Sequence, residues 1–253
     1  MKMTFLNYVS YDQPGLEKRI KASVKEFAVT VLQDVPENVD LNSLYLNLAN
    51  ALGTLVLEEE DPVTAIRNPE SWTQIKFNQQ KRTKAYKYSD KHHPLHTDYT
   101  YIGLKLDMTF FYCLQQAPVG GATFFLDPSR LESALKEYDS NLYDNLCLKD
   151  VFFSRNGTER QLGASNKVID YDHAGMLVNW NYFRAIDNSD PENKEMIEAF
   201  HQFLEQKVLL GGLVTPYLLK KGEGVFIHDR RVLHGRHSFI GKRHLNKGAI
   251  ITS

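Results

Sequence analysis

From about Leu104 onward, short apolar runs follow one another with turn residues between them, and this rhythm restricts the fold more than any other feature. MTFFYCL, ATFFL, VFF, MLVNWNYF, GVFI and GAIIT are separated by segments carrying Gly, Pro and Asn. Runs of this length, rich in β-branched and aromatic residues, read as strands, and the pattern predicts an antiparallel β-rich core. Upstream, FAVTVL at 27–32 predicts a further strand, and the Leu and Ala spacing over 41–57 predicts a helix. Helical spacing also recurs at 129–139 and 191–210, the second behind the cap candidates Asn188, Ser189 and Asp190. Asn156-Gly157-Thr158 reads as a tight turn. Helices packed outside a closed β-barrel or jelly roll account for this alternation, since closure removes exposed strand edges. Without a linker or internal repeat, the 253 residues are expected to form one domain, 1–253.

Composition narrows the function classes. Hydrophobic residues are 42% and charged residues 24% of the chain, values of a folded globular protein rather than a disordered one. Thirty basic residues against 31 acidic ones leave a net charge of -1, so no broad positive field exists to attract a phosphate backbone, and nucleic acid is not expected as a partner. Cys113 and Cys147 are the only cysteines and lack Cys-x-x-Cys spacing, which fits a reducing cytoplasm. Residues 1–14 lack the basic and apolar regions of a secretory signal. No run approaches the roughly 18 apolar residues of a membrane span, so no membrane partner is expected.

The chemistry-bearing segment is KHHPLHTDYTY at 91–101, with His96 and Asp98 two positions apart. On extended backbone, side chains at i and i+2 share a face, so an imidazole and a carboxylate can reach one ion together. His-x-Asp alone arises by chance roughly 0.6 times in a chain of this composition. A second segment, GEGVFIHDRRVLHGRHSFIGKR at 222–243, places His234 beyond an apolar strand and before Gly235. Two imidazoles and one carboxylate would occupy three positions of an octahedron and leave three open, an arrangement suited to oxygen-activating iron(II).

Three segments in order along the chain resemble the taurine dioxygenase-like (TauD/TfdA) iron(II)/2-oxoglutarate oxygenases: His96-Thr97-Asp98, APVGGATFFLD at 117–127, and HDRRVLHGRHSF at 228–239. The resemblance extends from about Phe27 to Thr252. It implies a β-rich α+β fold with a double-stranded β-helix (jelly roll) core and flanking helices. It also implies Fe(II) on His96, Asp98 and His234, 2-oxoglutarate as cosubstrate and O2 as oxidant. The far carboxylate of 2-oxoglutarate would be held by Arg243, with Thr123 adding a hydroxyl; Arg236 is the rival arginine. A planar guanidinium binds a carboxylate through two hydrogen bonds, which Lys242 or Lys247 would not reproduce in the same geometry. The activity implied is hydroxylation of an unactivated C–H bond with release of succinate and CO2. Related halogenases carry a small residue in place of the carboxylate, so Asp98 favours hydroxylation. The substrate implied is a small molecule, a free amino acid being one candidate.

Other residues read more plainly. His92, His93, His237 and His244 are expected outside the metal set, His93 beside it or against substrate. His228 and Asp229 are expected to orient their strand through hydrogen bonds. For 179–184, core packing is the favoured reading over a substrate wall. Lys76, Arg82, Lys84 and Lys87 read as a solvated face, with contact to a carboxylated substrate as the alternative. Gly222-Glu223-Gly224 lacks the context of a dinucleotide site. Three alternatives stay open: a non-catalytic metal-binding jelly-roll module, a zinc hydrolase using the same ligand types, and a 2-oxoglutarate-dependent desaturase or halogenase-like tailoring enzyme.

Overall fold

The apolar runs are continuous rather than alternating because the strands they form are buried on both faces. A computed structural model describes residues 3–61, 64–102, 106–155, 163–185 and 190–252; the expected turn at Asn156-Gly157-Thr158 lies outside them. The larger sheet has seven strands, in the order Thr4–Ser10, Phe27–Gln33, Gly224–His228, Met108–Gln115, His244–Thr252 and Gly53–Val56, with Thr73–Lys76 also paired to His244–Thr252. Its first pair is parallel and the others are antiparallel. A four-stranded antiparallel sheet runs Val214–Tyr217, Thr123–Leu126, Leu233–Arg236 and His93–His96.

The two sheets pack face to face. Phe125 of the smaller sheet meets Val29, Val31, Phe111, Val225 and Ile227 of the larger. On the outer face of the larger sheet, Phe110, Tyr112 and Phe226 pack on Ile20 and Val24 of the helix Leu16–Glu26 and on Tyr45 and Leu48 of the helix Leu41–Leu52. On the outer face of the smaller sheet, Phe124 and Leu126 meet the helices Pro128–Tyr138, Ser140–Leu148 and Pro191–Phe203. Phe124 and Phe125, adjacent and both 0% exposed, thus serve opposite cores. Each such ring contributes about 1.5–3 kcal/mol of burial.

The expected helix at 41–57 is shorter than its spacing suggested, ending at Leu52, after which Gly53–Val56 is a strand. A Cβ on Gly53 would lie 2.2 Å from the Ile251 carbonyl oxygen, so this glycine lets the chain leave the helix against the last strand. The 191–210 segment is helical to Phe203 and continues as a wider π turn over Leu204–Leu209. Asp190 accepts the capping bond from the Glu192 N–H at 3.0 Å; Asn188 and Ser189 lie outside the described residues. Among the described residues no helix is long and apolar enough to cross a membrane.

Candidate active site

At one end of the space between the sheets, polar side chains take over inward positions held elsewhere by apolar ones. His234 lies opposite Phe125, Arg236 opposite Thr123, Lys247 opposite Phe111, and His96 pairs with His234 across the two strands. Placing such groups at core depth costs several kcal/mol unless partners repay it, so the cluster marks a site.

The strand His93–His96 ends before Asp98, so the same-face argument for His96 and Asp98 needs correcting: Asp98 sits in a bend just beyond the strand. Two outside contacts hold that bend. Thr97 donates its N–H to the Trp180 carbonyl at 2.6 Å and accepts the Trp180 N–H on Oγ1 at 3.1 Å. The buried Asp229 carboxylate accepts the N–H groups of Asp98 at 2.9 Å and Tyr99 at 3.3 Å. The expected orienting role of His228 and Asp229 is met, since His228 also donates through Nε2 to the Val24 carbonyl at 2.6 Å.

His96, Asp98 and His234 converge so that one ligand atom from each lies within 4.8 Å of the others. His96 Nδ1 is 2.9 Å from the Pro94 carbonyl, which can only accept; the proton therefore resides on Nδ1 and leaves the Nε2 lone pair facing Asp98 at 3.8 Å. His234 Nε2 lies 3.6 Å from Asp98 Oδ2, a buried oxygen with no hydrogen-bond partner. Burial, with His96 adding to it, brings the His234 imidazole down to about 3, keeping it neutral and able to bind a cation. Burial pushes the Asp98 carboxyl up, but the Lys247 ammonium 2.6 Å away outweighs it and holds it well below the usual carboxylate range. An orphaned carboxylate oxygen beside the His96 Nε2 lone pair and the neutral His234 imidazole is a donor set that fits a divalent metal.

Lys247 is the group sequence reasoning assigned no role. Its Nζ is 2.6 Å from Asp98 Oδ1 and 4.8 Å from the Tyr99 ring centre, so it claims one carboxylate oxygen and leaves the other to the histidines. The sequence carries a signal for it: Leu245 and Lys247 share a face of the last strand, and Leu245 belongs to the core between the sheets.

These groups line a cavity of about 730 Å³. Arg243 and Thr123 both face it, each only 6% exposed. The Arg243 guanidinium has no hydrogen-bond or ion-pair partner among the described residues, and burial brings it down to about 9, a cost that a bound anion would relieve. Arg236, the rival, is already engaged: its Nη2 donates to the carbonyls of Ser89 at 2.9 Å and Lys91 at 2.6 Å, tying down the segment before His93. His93 stacks between Tyr86 at 4.3 Å and His96 at 3.9 Å and lines the cavity. His92 pairs with Glu205, and His237 packs on Phe124. The 179–184 segment divides between its two readings, with Trp180 in the core and Asn181, Phe183 and Arg184 on the cavity wall. Of the basic run, Lys76 is exposed, whereas Arg82, Lys84 and Lys87 line the cavity and Lys87 pairs with Glu59 at 2.6 Å.

Among proteins of known activity, the chain is similar to the mitochondrial trimethyllysine dioxygenase of Rattus norvegicus, 29% identical over 161 residues that make up 59% of this chain and 38% of that protein. The chain thus matches less than half the length of this relative. Among solved structures, an asparagine oxygenase in complex with Fe(II), 2S,3S-3-hydroxyasparagine and succinate superposes with a TM-score of 0.73 at 12% identity, over 95% of this chain and 80% of that one. AAD-2 in complex with Mn(II) and N-oxalylglycine superposes at 0.66 with 14% identity, over 100% of this chain and 97% of that one. The sequence profile of one family matches residues 5–248, and the chain belongs to that family, described as Taurine catabolism dioxygenase TauD, TfdA family.

Proposed function

We propose that the chain is an Fe(II)- and 2-oxoglutarate-dependent oxygenase with a double-stranded β-helix (jelly roll) core, hydroxylating an unactivated C–H bond of a small, amino-acid-type molecule. One observation carries the reading: a largely buried two-histidine, one-carboxylate cluster shares its cavity with a buried guanidinium that has no hydrogen-bond or ion-pair partner among the described residues. A structural metal site or a zinc hydrolase accounts for the first half and leaves the second without a purpose.

In this reading His96, His234 and Asp98 would hold the metal, Asp98 through the Oδ2 that has no other partner. Lys247 occupies Asp98 Oδ1 and keeps the carboxylate ionised and in place. Arg243 takes the far carboxylate of 2-oxoglutarate with its planar fork, Thr123 adds a hydroxyl donor, and the carboxylate restores the charge balance that burial costs Arg243. When bound, iron and 2-oxoglutarate supply oxygen activation coupled to decarboxylation, yielding succinate and CO2. The protein excludes water and aims one C–H bond, since the site lies between two packed sheets.

The test incubates iron-loaded protein with 2-oxoglutarate, oxygen and a pool of free amino acids, and follows succinate and one-oxygen mass gains. Matched amounts of succinate and oxygenated product support the reading. Hydrolysis of a substrate without oxygen would replace it with the zinc hydrolase.

A further inference from the structure

Beyond the metal cluster, the cavity holds two arginines and one glutamate close together. Arg155 Nη1 pairs with Glu60 Oε1, its Nη2 donates to the Asp61 carbonyl at 3.1 Å, and the side chain is 5% exposed. Glu60 also accepts the Tyr101 hydroxyl at 3.3 Å. Arg184 lies beside this group, since its charge adds to burial in making Arg155 harder to keep protonated. The Arg184 guanidinium carbon sits 4.7 Å from the centre of the Tyr101 ring, the side chain lines the cavity, and it has no hydrogen-bond or ion-pair partner among the described residues. Glu60 is thus engaged by Arg155, and Arg184 stands beside that pair with no carboxylate of its own among the described residues. Stacking on Tyr101 restrains the second guanidinium and leaves its N–H edges free to bind an anion.

The tyrosines of the cavity carry a second message. Tyr101 is capped by Arg184, Tyr99 by Lys247 and Tyr86 by His93. One face of each of these three tyrosines is thus occupied by the protein's own cation or imidazole, which leaves less aromatic surface to attract a quaternary ammonium. Glu58 is paired with Arg67 at 2.8 Å and Glu60 with Arg155, so neither is free to receive a substrate cation.

We infer that Arg184 is the receptor for a carboxylate of the substrate, so that the site selects small carboxylic acids over quaternary ammonium ions. This rests on the oxygenase reading, in which Arg243 is reserved for 2-oxoglutarate and Arg184 remains for the molecule to be oxidised.

The test uses the full chain loaded with Mn(II) and N-oxalylglycine, a pair that fills the cosubstrate place without turnover. Protein amino acids, short monocarboxylic acids, the matching carboxamides and tetramethylammonium are titrated in and followed by calorimetry. At least one acid is expected to bind, with its carboxamide weaker by about tenfold or more, the loss of a charge-assisted hydrogen bond. Arg184→Gln should bring acid and amide to the same affinity, Arg184→Lys should recover part of the difference, and N-oxalylglycine affinity should be unchanged in both variants. Equal binding of acids and amides, an unaltered ratio in Arg184→Gln, binding of no acid, or preferential binding of tetramethylammonium would overturn the inference. Failure of the wild-type protein to bind Mn(II) and N-oxalylglycine would instead overturn the oxygenase reading beneath it.

Discussion

At the scale of single residues, the site depends on which charges find partners within the protein and which are left for a ligand. Arg236 spends its guanidinium on the Ser89 and Lys91 carbonyls, whereas Arg243 finds no hydrogen-bond or ion-pair partner among the described residues. Arg243→Lys should therefore raise the KM for 2-oxoglutarate by about 10- to 100-fold, because an ammonium replaces a fork by a point charge, with the KM for the oxidised substrate little changed. Steady-state kinetics with each substrate varied in turn checks this; equal effects on both KM values would remove Arg243 from its assigned place. His96, Asp98 and His234 could be picked out from their residue types, and Thr123 and Arg243 from the family resemblance; the structure gathers the five on one cavity, with Asp98 held by a bend rather than by the strand face its spacing suggested. Lys247 carried only the weaker signal of sharing a strand face with Leu245, and its partner Asp98, 2.6 Å away, is remote in sequence. Arg184 was legible only as part of a mostly aromatic segment, because its lack of a hydrogen-bond or ion-pair partner among the described residues is a property of the packed cavity.

At the scale of elements, turns and strand ends do the positioning. Gly121 has a φ of +78°, and a Cβ there would lie 3.3 Å from Cδ and Nε of Arg243. Gly121→Ala should strain the backbone and displace the guanidinium, raising the KM for 2-oxoglutarate by about tenfold while circular dichroism stays native. A second expectation concerns the helix Leu16–Glu26, whose Val24 carbonyl is bonded by His228 at the end of the strand Gly224–His228. Burial lowers this imidazole from its ordinary value near 6.5, a fall the Val24 bond only partly offsets. The unfolded chain therefore binds the proton first, and the contribution to stability is complete above about 6.5 and lost as pH falls from there toward the folded value. His228→Gln, which keeps a donor and cannot titrate, should show a flatter fall of Tm with acidification than the native chain. The strands were the most readable elements, since their continuous apolar runs reflect burial on both faces. The helix at 41–57 was over-extended because its leucine spacing continues past Gly53, where contact with Ile251 rather than periodicity decides the conformation.

At the scale of the whole molecule, two sheets with helices outside each form a scaffold whose interior is apolar except at one end, and that end carries all the chemistry proposed. Ligands that bind only the folded state should stabilise it: Mn(II) with N-oxalylglycine at about 100 times their Kd adds about 2.7 kcal/mol, or roughly 5–10 °C in Tm for a chain of this size. Asp98→Ala should lose that shift while keeping the unliganded Tm within a few degrees, as scanning fluorimetry would reveal. Sequence order could not disclose which sheet each strand joins, because the strand Leu233–Arg236 pairs with partners more than a hundred residues away. The most direct test of the account is the visible absorption of Fe(II) added to the protein with 2-oxoglutarate in the absence of oxygen. A charge-transfer band that requires both components, vanishes in Asp98→Ala and needs far more 2-oxoglutarate in Arg243→Lys is the result expected; iron that binds with no new band on adding 2-oxoglutarate would contradict the assignment.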